Sequence, residues 1–283
     1  MSDNQLAYQS GYLTITGKGD AAQLIEQYKL QGAEGWNAGE IAEERYQFEH
    51  MCIRINLGLL EQDESYFWWL SLKQIASSLI DIPNDLQLTL HIVTHGENYQ
   101  NAGFHINRDA IRLLARLNAG FHLHGYRDAD DGHNFPYAKV VAAELTSNAS
   151  GEQAYFYLQS NFYSSDYLQA LINLTSHKKY NKGEIKRYHP ISQQPIYQTI
   201  SRIEIKSGLS QCSCIAQHLT ALLNILESQR TQIWQVAQDY HIELGITATG
   251  HVSNPHHRLI SSALIARLAA LGTDLNIDFY FND

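Results

Sequence analysis

Cysteine, proline and methionine are scarce in this chain, with 3, 5 and 2 residues among 283. Three cysteines, an odd number, cannot make a disulfide framework, so a reducing cytosol is the expected compartment. A hydrophobic content of 44 % with so little proline excludes a disordered or collagen-like chain. No apolar run approaches the ~20 residues that a membrane-spanning helix needs. The opening Met1-Ser2-Asp3-Asn4-Gln5-Leu6 lacks the basic start and apolar core of a signal peptide. Basic residues are also few: 20 Lys and Arg stand against 29 Asp and Glu, a net charge of −9. That balance speaks against general affinity for nucleic acid, whose phosphates demand cations, and suits a basic protein partner. The expectation is an acidic cytoplasmic protein that binds neither nucleic acid nor membrane.

Catalytic signatures are missing as well. No dinucleotide-binding glycine fingerprint occurs. Gly17-Lys18-Gly19-Asp20 is the nearest approach to a phosphate loop, and a plain turn into a capped helix explains it. No serine or cysteine sits in a recognisable nucleophile elbow. Cys212-Ser213-Cys214 lacks the spacing and the second pair of a structural zinc site and reads as small residues at a helix start. Asp274 and Asp278, two apart from Asn276, read as one solvated strand face.

What the chain does contain, it contains twice. Ile53-Arg54-Ile55-Asn56-Leu57-Gly58-Leu59 returns as Ile203-Glu204-Ile205-Lys206-Ser207-Gly208-Leu209, and Trp36-Asn37-Ala38-Gly39-Glu40 as Tyr180-Asn181-Lys182-Gly183-Glu184. Ile106, Ile111, Leu114, Ala115, Leu117 and Tyr126 match Ile260, Ile265, Leu268, Ala269, Leu271 and Tyr280 in one ungapped register that also pairs Gly96 with Gly250. A period this long marks whole domains, not turns of a solenoid. Matched positions are apolar or glycine, whereas most polar ones differ: Arg54 against Glu204, His122 against Asn276, His124 against Asp278. A duplicated catalytic site would repeat its chemical groups.

Within the first repeat, Leu13 and Ile15 mark a strand, and Asp20 caps a helix through Leu24, Ile25 and Tyr28. Met51, Ile53, Ile55 and Leu57 alternate as a strand, and Trp68, Leu72, Ile75, Ala76 and Leu79 form a helical stripe. Leu86, Leu88, Leu90 and Ile92 alternate with Gln87, Thr89, His91 and Val93. Asn107 caps a helix carrying Ile111 and Leu114, stopped by Gly120, and Phe121, Leu123 and Tyr126 close on a strand. The second repeat follows the same order. A polar junction spans Arg127 to Ser150, with an extra strand expected over Tyr137 to Leu145. The expected fold class is α+β: two similar two-layer domains, each a mixed sheet with helices on one face, arranged as a pseudo-twofold tandem repeat. The expected limits are 1–136 and 137–283, with the boundary inside 127–151.

These landmarks resemble a bacterial family catalogued as a domain of unknown function, four-two-seven-nine in its numbered series. The resemblance rests on Trp36 ahead of Gly39-Glu40, and on the helix Leu268-Ala269-Ala270-Leu271-Gly272 with the strand Leu275-Asn276-Ile277-Asp278-Phe279-Tyr280. The first repeat departs at Asn118, His122 and His124, and the second at Tyr180. The resemblance implies a fold and a bacterial setting and supplies no active site.

Fourteen histidines raise the question of a metal. His91 and His95 lie four apart and His122 and His124 two apart, and alternating imidazoles suit zinc. Against this, the second repeat lacks them and the strand phase turns His91 toward solvent, so no metal ligand or cofactor is assigned. Surface residues point instead to a partner. Trp68 and Trp69 are adjacent in a helix, so both cannot enter one core. Acids cluster at Glu40, Glu43 and Glu44, at Glu61, Asp63 and Glu64, and at Asp128, Asp130 and Asp131. The sequence reading is a non-enzymatic binding protein, an immunity protein that blocks a cognate bacterial toxin domain through Glu61, Asp63, Glu64, Trp69, Asp128, Asp130 and Asp131. The alternatives are a metal-dependent hydrolase using the first repeat's histidines and a pseudo-dimer holding a small ligand.

Overall fold

The computed structural model describes residues 9–42, 46–60, 67–95, 102–126, 152–211, 213–252 and 256–281. The first half supplies β1 (Gln9–Gly17), α1 (Ala21–Gln27), β2 (Ala33–Trp36), β3 (Ile41–Ala42), β4 (Tyr46–Gln47), β5 (Met51–Leu60), α2 (Phe67–Leu79), β6 (Gln87–His95), β7 (Ala102–Ile106), α3 (Arg108–Arg116) and β8 (Ala119–Tyr126). The second half supplies β9 (Gln153–Ser160), α4 (Ser165–Ile172), β10 (Lys178–Tyr180), β11 (Ile185–Tyr188), β12 (Pro195–Tyr197), β13 (Ser201–Lys206), α5 (Ile215–Glu227), α6 (Arg230–Val236), β14 (Glu243–Val252), β15 (His256–Ile260), α7 (Ser262–Leu271) and β16 (Asp274–Phe281). The fold is α+β, with two mixed six-stranded sheets.

Local chemistry explains the elements. The Asp20 carboxylate accepts from Gln23 N–H at 2.9 Å and the Asn107 side chain from Ala110 N–H at 2.8 Å, so both helices begin where a short polar side chain satisfies an orphan donor. The motif around Gly39 is a structural loop. Asn37 N–H donates to Glu40 at 2.8 Å, and Asn37 Oδ1 accepts from Ala21 N–H at the start of α1. Asn181, Glu184 and Ser165 repeat that arrangement at 2.9 Å in both bonds. Gly39 and Gly183 share φ = 89°, a conformation that a side chain would strain. Helix α3 ends on Asn118 at φ = 49° and α7 on Gly272 at φ = 70°, so both are left-handed caps and asparagine stands in the first half where the second has glycine. Gly120 does not stop α3. It lies inside β8, where an added Cβ would sit 3.2 Å from the Ile260 carbonyl oxygen.

The sheets share one strand order, and each is completed by a strand from the other half. The first runs β15-β8-β6-β1-β5-β2 and the second β10-β13-β9-β14-β16-β7. In both, the hairpin-like neighbours are antiparallel and one internal pair, β6 with β8 or β14 with β16, is parallel. Strand β7 leaves the first half to pair with β16, Ile106 opposite Leu275; β15 crosses the other way to pair with β8, Ile260 opposite Phe121. Both partners shift by the same 154 positions (260 − 106 and 275 − 121), so the exchange is reciprocal and in register. A cut at residue 136 therefore separates sequence repeats without separating sheets.

The ladders also correct the repeat alignment. Ile15 faces Ile53 and Leu88, and Leu158 faces Ile203 and Leu244. This keeps Ile53 with Ile203 but equates Gly250 with Thr94, two residues ahead of Gly96, and His91 with Thr247. Gly96 itself, and the strand expected over Tyr137 to Leu145, lie outside the described residues.

A continuous apolar core runs through both halves, with Leu13, Ile53, Leu90, Phe121, Ile111 and Leu114 joined to Phe156, Leu158, Ile203, Ile246, Ile265 and Leu268. Helix α3 packs along α7 at the centre. Trp68 is buried against Phe104 of the exchanged strand, with ring centroids 5.7 Å apart, and Phe104 stacks in turn on Phe121 at 5.6 Å. Burying one such aromatic side chain stabilises by about 2–3 kcal/mol, so the exchange is held by side chains as well as by the ladder.

Candidate functional site

Strands β6 and β8 run parallel with His91 directly beside His122 and Val93 beside His124. Alternation puts His91, His122 and His124 on the face opposite the helices, where polarity predicts solvent. That expectation fails: His91 is 5 % exposed, His122 6 % and His124 fully buried. Their ring nitrogens lie within 4.8 Å of one another. His91 Nδ1 is 3.0 Å from His124 Nε2, a bond that needs one of the two nitrogens to carry the proton and the other to accept it. His91 Nε2 is 2.9 Å from the Thr14 hydroxyl on β1. The Tyr12 ring, opposite His91 across the ladder, stacks on it at 4.5 Å and 5°, and the Arg54 guanidinium sits over the Tyr12 ring, 4.6 Å from its centroid. The result is three imidazoles on two rigid neighbouring strands, with one ring clamped by a hydroxyl and an aromatic face.

The equivalent face of the second half has different chemistry. Thr247, Asn276 and Asp278 take the places of the three histidines. Asn276 donates to Tyr157 OH at 3.2 Å, and His105 of the exchanged β7 donates to Asn276 Oδ1 at 2.6 Å. Burial pushes the Asp278 carboxyl and the Tyr157 phenol above their usual ranges. Asp274 is not part of a solvated pair. Its carboxylate accepts from Arg108 N–H at 2.7 Å and ties β16 to the start of α3.

The second feature is a cleft of about 460 Å³ between α2 and α3, lined by Trp69, Lys73, Ile80, Arg112, Leu113 and Arg116 among others. Trp69, the one partner-binding residue from the sequence that falls among the described residues, is half-buried on its wall and meets Trp68 edge-on at 6.4 Å. Leu70 and Ile80 beside it are 53 % and 47 % exposed. The other six predicted contacts, Glu61, Asp63, Glu64, Asp128, Asp130 and Asp131, lie outside the described residues. Around Trp69 the charge is opposite in sign to the chain as a whole, with Lys73, Arg112 and Arg116 against Asp109.

The cleft has a closed counterpart. The buried stripe Trp68, Leu72 and Leu79 has the spacing of Ile215, Leu219 and Leu226 on α5, which equates Ile80 with Glu227 and Ser77 with Asn224. In the second half Arg267, the equivalent of Leu113, crosses from α7 to bond Glu227 at 2.7 Å and Asn224 at 2.7 Å. That bridge holds Glu227 below the usual carboxylate range. The first half has an isoleucine and a leucine where the second has an ion pair.

The cysteines show no redox arrangement among the described residues. Cys214 is the N-cap of α5 and donates its N–H to Gln217 at 3.0 Å, whereas burial pushes the Cys52 thiol up to about 11. No helix among the described residues is long and apolar enough to cross a membrane.

Sequence reasoning named the three clustered histidines and set them aside; the signal it lacked was what covers their face. It had no signal for the α2–α3 cleft beyond the doubled tryptophan. No curated protein is detectably similar to the chain. Residues 148–282, in the second half of the chain, match the model of a family described as a domain of unknown function, DUF4279.

Proposed function

We propose that the chain is a non-enzymatic binding protein that grips another protein through the α2–α3 cleft, acting as an immunity protein that occludes a bacterial toxin domain. The observation carrying this reading is the opened clamp. Where the second half closes its helix pair with Arg267, Glu227 and Asn224, the first half presents Trp69, Ile80 and Leu113 around a cavity. Half-buried tryptophans with flanking arginines are the side chains that carry most of the energy at protein interfaces. An anchor here must bring an apolar side chain and, facing Lys73, Arg112 and Arg116, acidic groups. The acidic residues 61–64 and 128–131 would then contact the partner elsewhere. Blocking a cleft by occlusion needs on the order of 1,600 Å² of buried surface, more than this groove alone provides.

The test is protection. Cells expressing the toxin encoded beside this gene should survive with the chain and die without it, and the purified proteins should co-elute. Ile80→Glu with Leu113→Arg places the second half's ion pair across the cleft, and circular dichroism checks that the variant stays folded. Loss of protection and of the complex in that variant supports the reading; full protection by it moves the interface elsewhere. Failure of the unaltered chain to protect or to form a complex ends the immunity reading.

A further inference from the structure

We propose that His91, His122 and His124 bind one divalent transition-metal ion, with zinc the best fit to the donor set. Three neutral imidazoles, with no thiolate or carboxylate in the cluster among the described residues, suit zinc, copper or nickel, whereas magnesium and calcium require oxygen ligands. The three donors lie within 4.8 Å of one another. The closest pair, His91 Nδ1 and His124 Nε2, is 3.0 Å apart, against about 3.3 Å between two nitrogens on a tetrahedral zinc with bonds of 2.0–2.1 Å. An ion therefore replaces that hydrogen bond with a small opening of the pair and draws in His122, whose ring centroid is 4.0 Å from that of His124.

The surroundings match what a ligating histidine needs. A metal-bound imidazole donates its other N–H to a fixed acceptor, which sets the tautomer. Thr14 Oγ1, 2.9 Å from His91 Nε2, is that acceptor and leaves Nδ1 for the metal. The Tyr12 ring, stacked at 4.5 Å and 5°, fixes the plane of His91. All three ligands stand on strands rather than loops, so their positions are held by the sheet. The second half has Thr247, Asn276 and Asp278 at the equivalent places, so among the described residues this set is gathered in the first half alone. This site is independent of the cleft and of the partner proposed for it.

The test uses the full-length chain, stripped with a chelator and titrated with zinc chloride by calorimetry and with cobalt(II) by visible absorption. One tight equivalent is expected, and cobalt should give the intense bands of a four- or five-coordinate nitrogen site. His122→Asn, the residue of the second half, and His124→Asn should each weaken zinc on the order of 100-fold or more, and Thr14→Val, which removes only the orienting hydroxyl, roughly 10-fold. Thr14→Val keeps the test decisive if either histidine variant unfolds by circular dichroism. Only weak uptake of several ions, or tight uptake indifferent to all three substitutions, overturns the proposal.

Discussion

If β7 and β15 have changed places, cysteines introduced at positions 105 and 276 should form a disulfide within one molecule and stabilise it strongly. The two residues are direct partners in the β7–β16 ladder, His105 exposed and Asn276 half-buried, with side chains already 2.6 Å apart. Antiparallel neighbours place their Cα atoms within the 4.4–6.8 Å range of disulfides. The link spans 171 positions, and closing a loop of that length removes about 5 kcal/mol of unfolded-state entropy in the chain-entropy account. Two hydrogen bonds are lost, His105 to Asn276 and Asn276 to Tyr157, at ~1 kcal/mol each. The net gain of roughly 3 kcal/mol corresponds to a melting temperature higher by roughly 6–12 °C for a chain of this size. Cys212 and Cys214 are replaced by serine; Cys52 stays, since burial keeps its thiol protonated. His105→Cys/Asn276→Cys should then oxidise to a faster-migrating monomer on a non-reducing gel. If each half kept its own strand, His105 would lie beside His122, and the pair to cross-link would be His105→Cys/His122→Cys. A cross-link in that second variant and none in the first refutes the exchange. Cross-linked dimers in place of monomers would show that the strands trade between chains.

Phe104→Ala should cost about 3–5 kcal/mol, because Phe104 fills the space between Trp68 and Phe121; thermal melting should still show one transition, and two would mean that the halves unfold separately. His218, buried and bonded to Ser207 at 2.6 Å, is held below its ordinary 6.5 by burial, so the unfolded chain takes up a proton that the fold refuses. Its contribution is full above 6.5 and declines as pH falls through that value, so the loss of melting temperature between pH 7.5 and 5.5 should shrink in His218→Gln. Residues 148–282 alone keep β15 but lack the β7 that covers β16, and Ile260 has the register toward Phe121 that Ile106 has toward Leu275. Two such fragments should trade β15 and form a symmetrical dimer; a folded monomer by light scattering would refute this.

Most individual elements were legible because their causes are local. Alternation of Leu88, Leu90 and Ile92, the caps at Asp20 and Asn107, and the stripe on α2 each lie within one short window of sequence. The exchange is different in kind. Ile106 meets Leu275 as Ile260 meets Phe121, so the ladder contacts are the same in type whether a strand pairs with its own half or the other, and sequence pattern is blind to the choice. The contacts of Phe104 with Trp68 and Phe121 distinguish the two, and no periodicity reports them. The histidines show a second limit. Alternation correctly separates His91 from Leu90 and Ile92, but it tells which side a residue takes and nothing of what lies against that side. Tyr12, from a strand some eighty residues earlier, covers His91 and turns a surface position into a buried one. Helix α6 has no counterpart between α2 and β6, so repetition could not announce it.

The exchange also bears on how one half can specialise. A sheet whose edge strand is supplied by the other half cannot lose its partner without exposing a ladder edge, so the halves are tied together whatever their polar residues become. The ties are made by matched apolar positions: Ile106 and Ile260, Leu114 and Leu268, Ile111 and Ile265, all buried. Polar faces carry no such constraint. The second half places Asn276 against His105 and closes its helices with Arg267 and Glu227, while the first gathers three histidines and leaves its helix pair open. None of these polar residues belongs to the apolar core that the two halves share. The asymmetry of the two faces is therefore where function should be sought, and their symmetry is where stability resides.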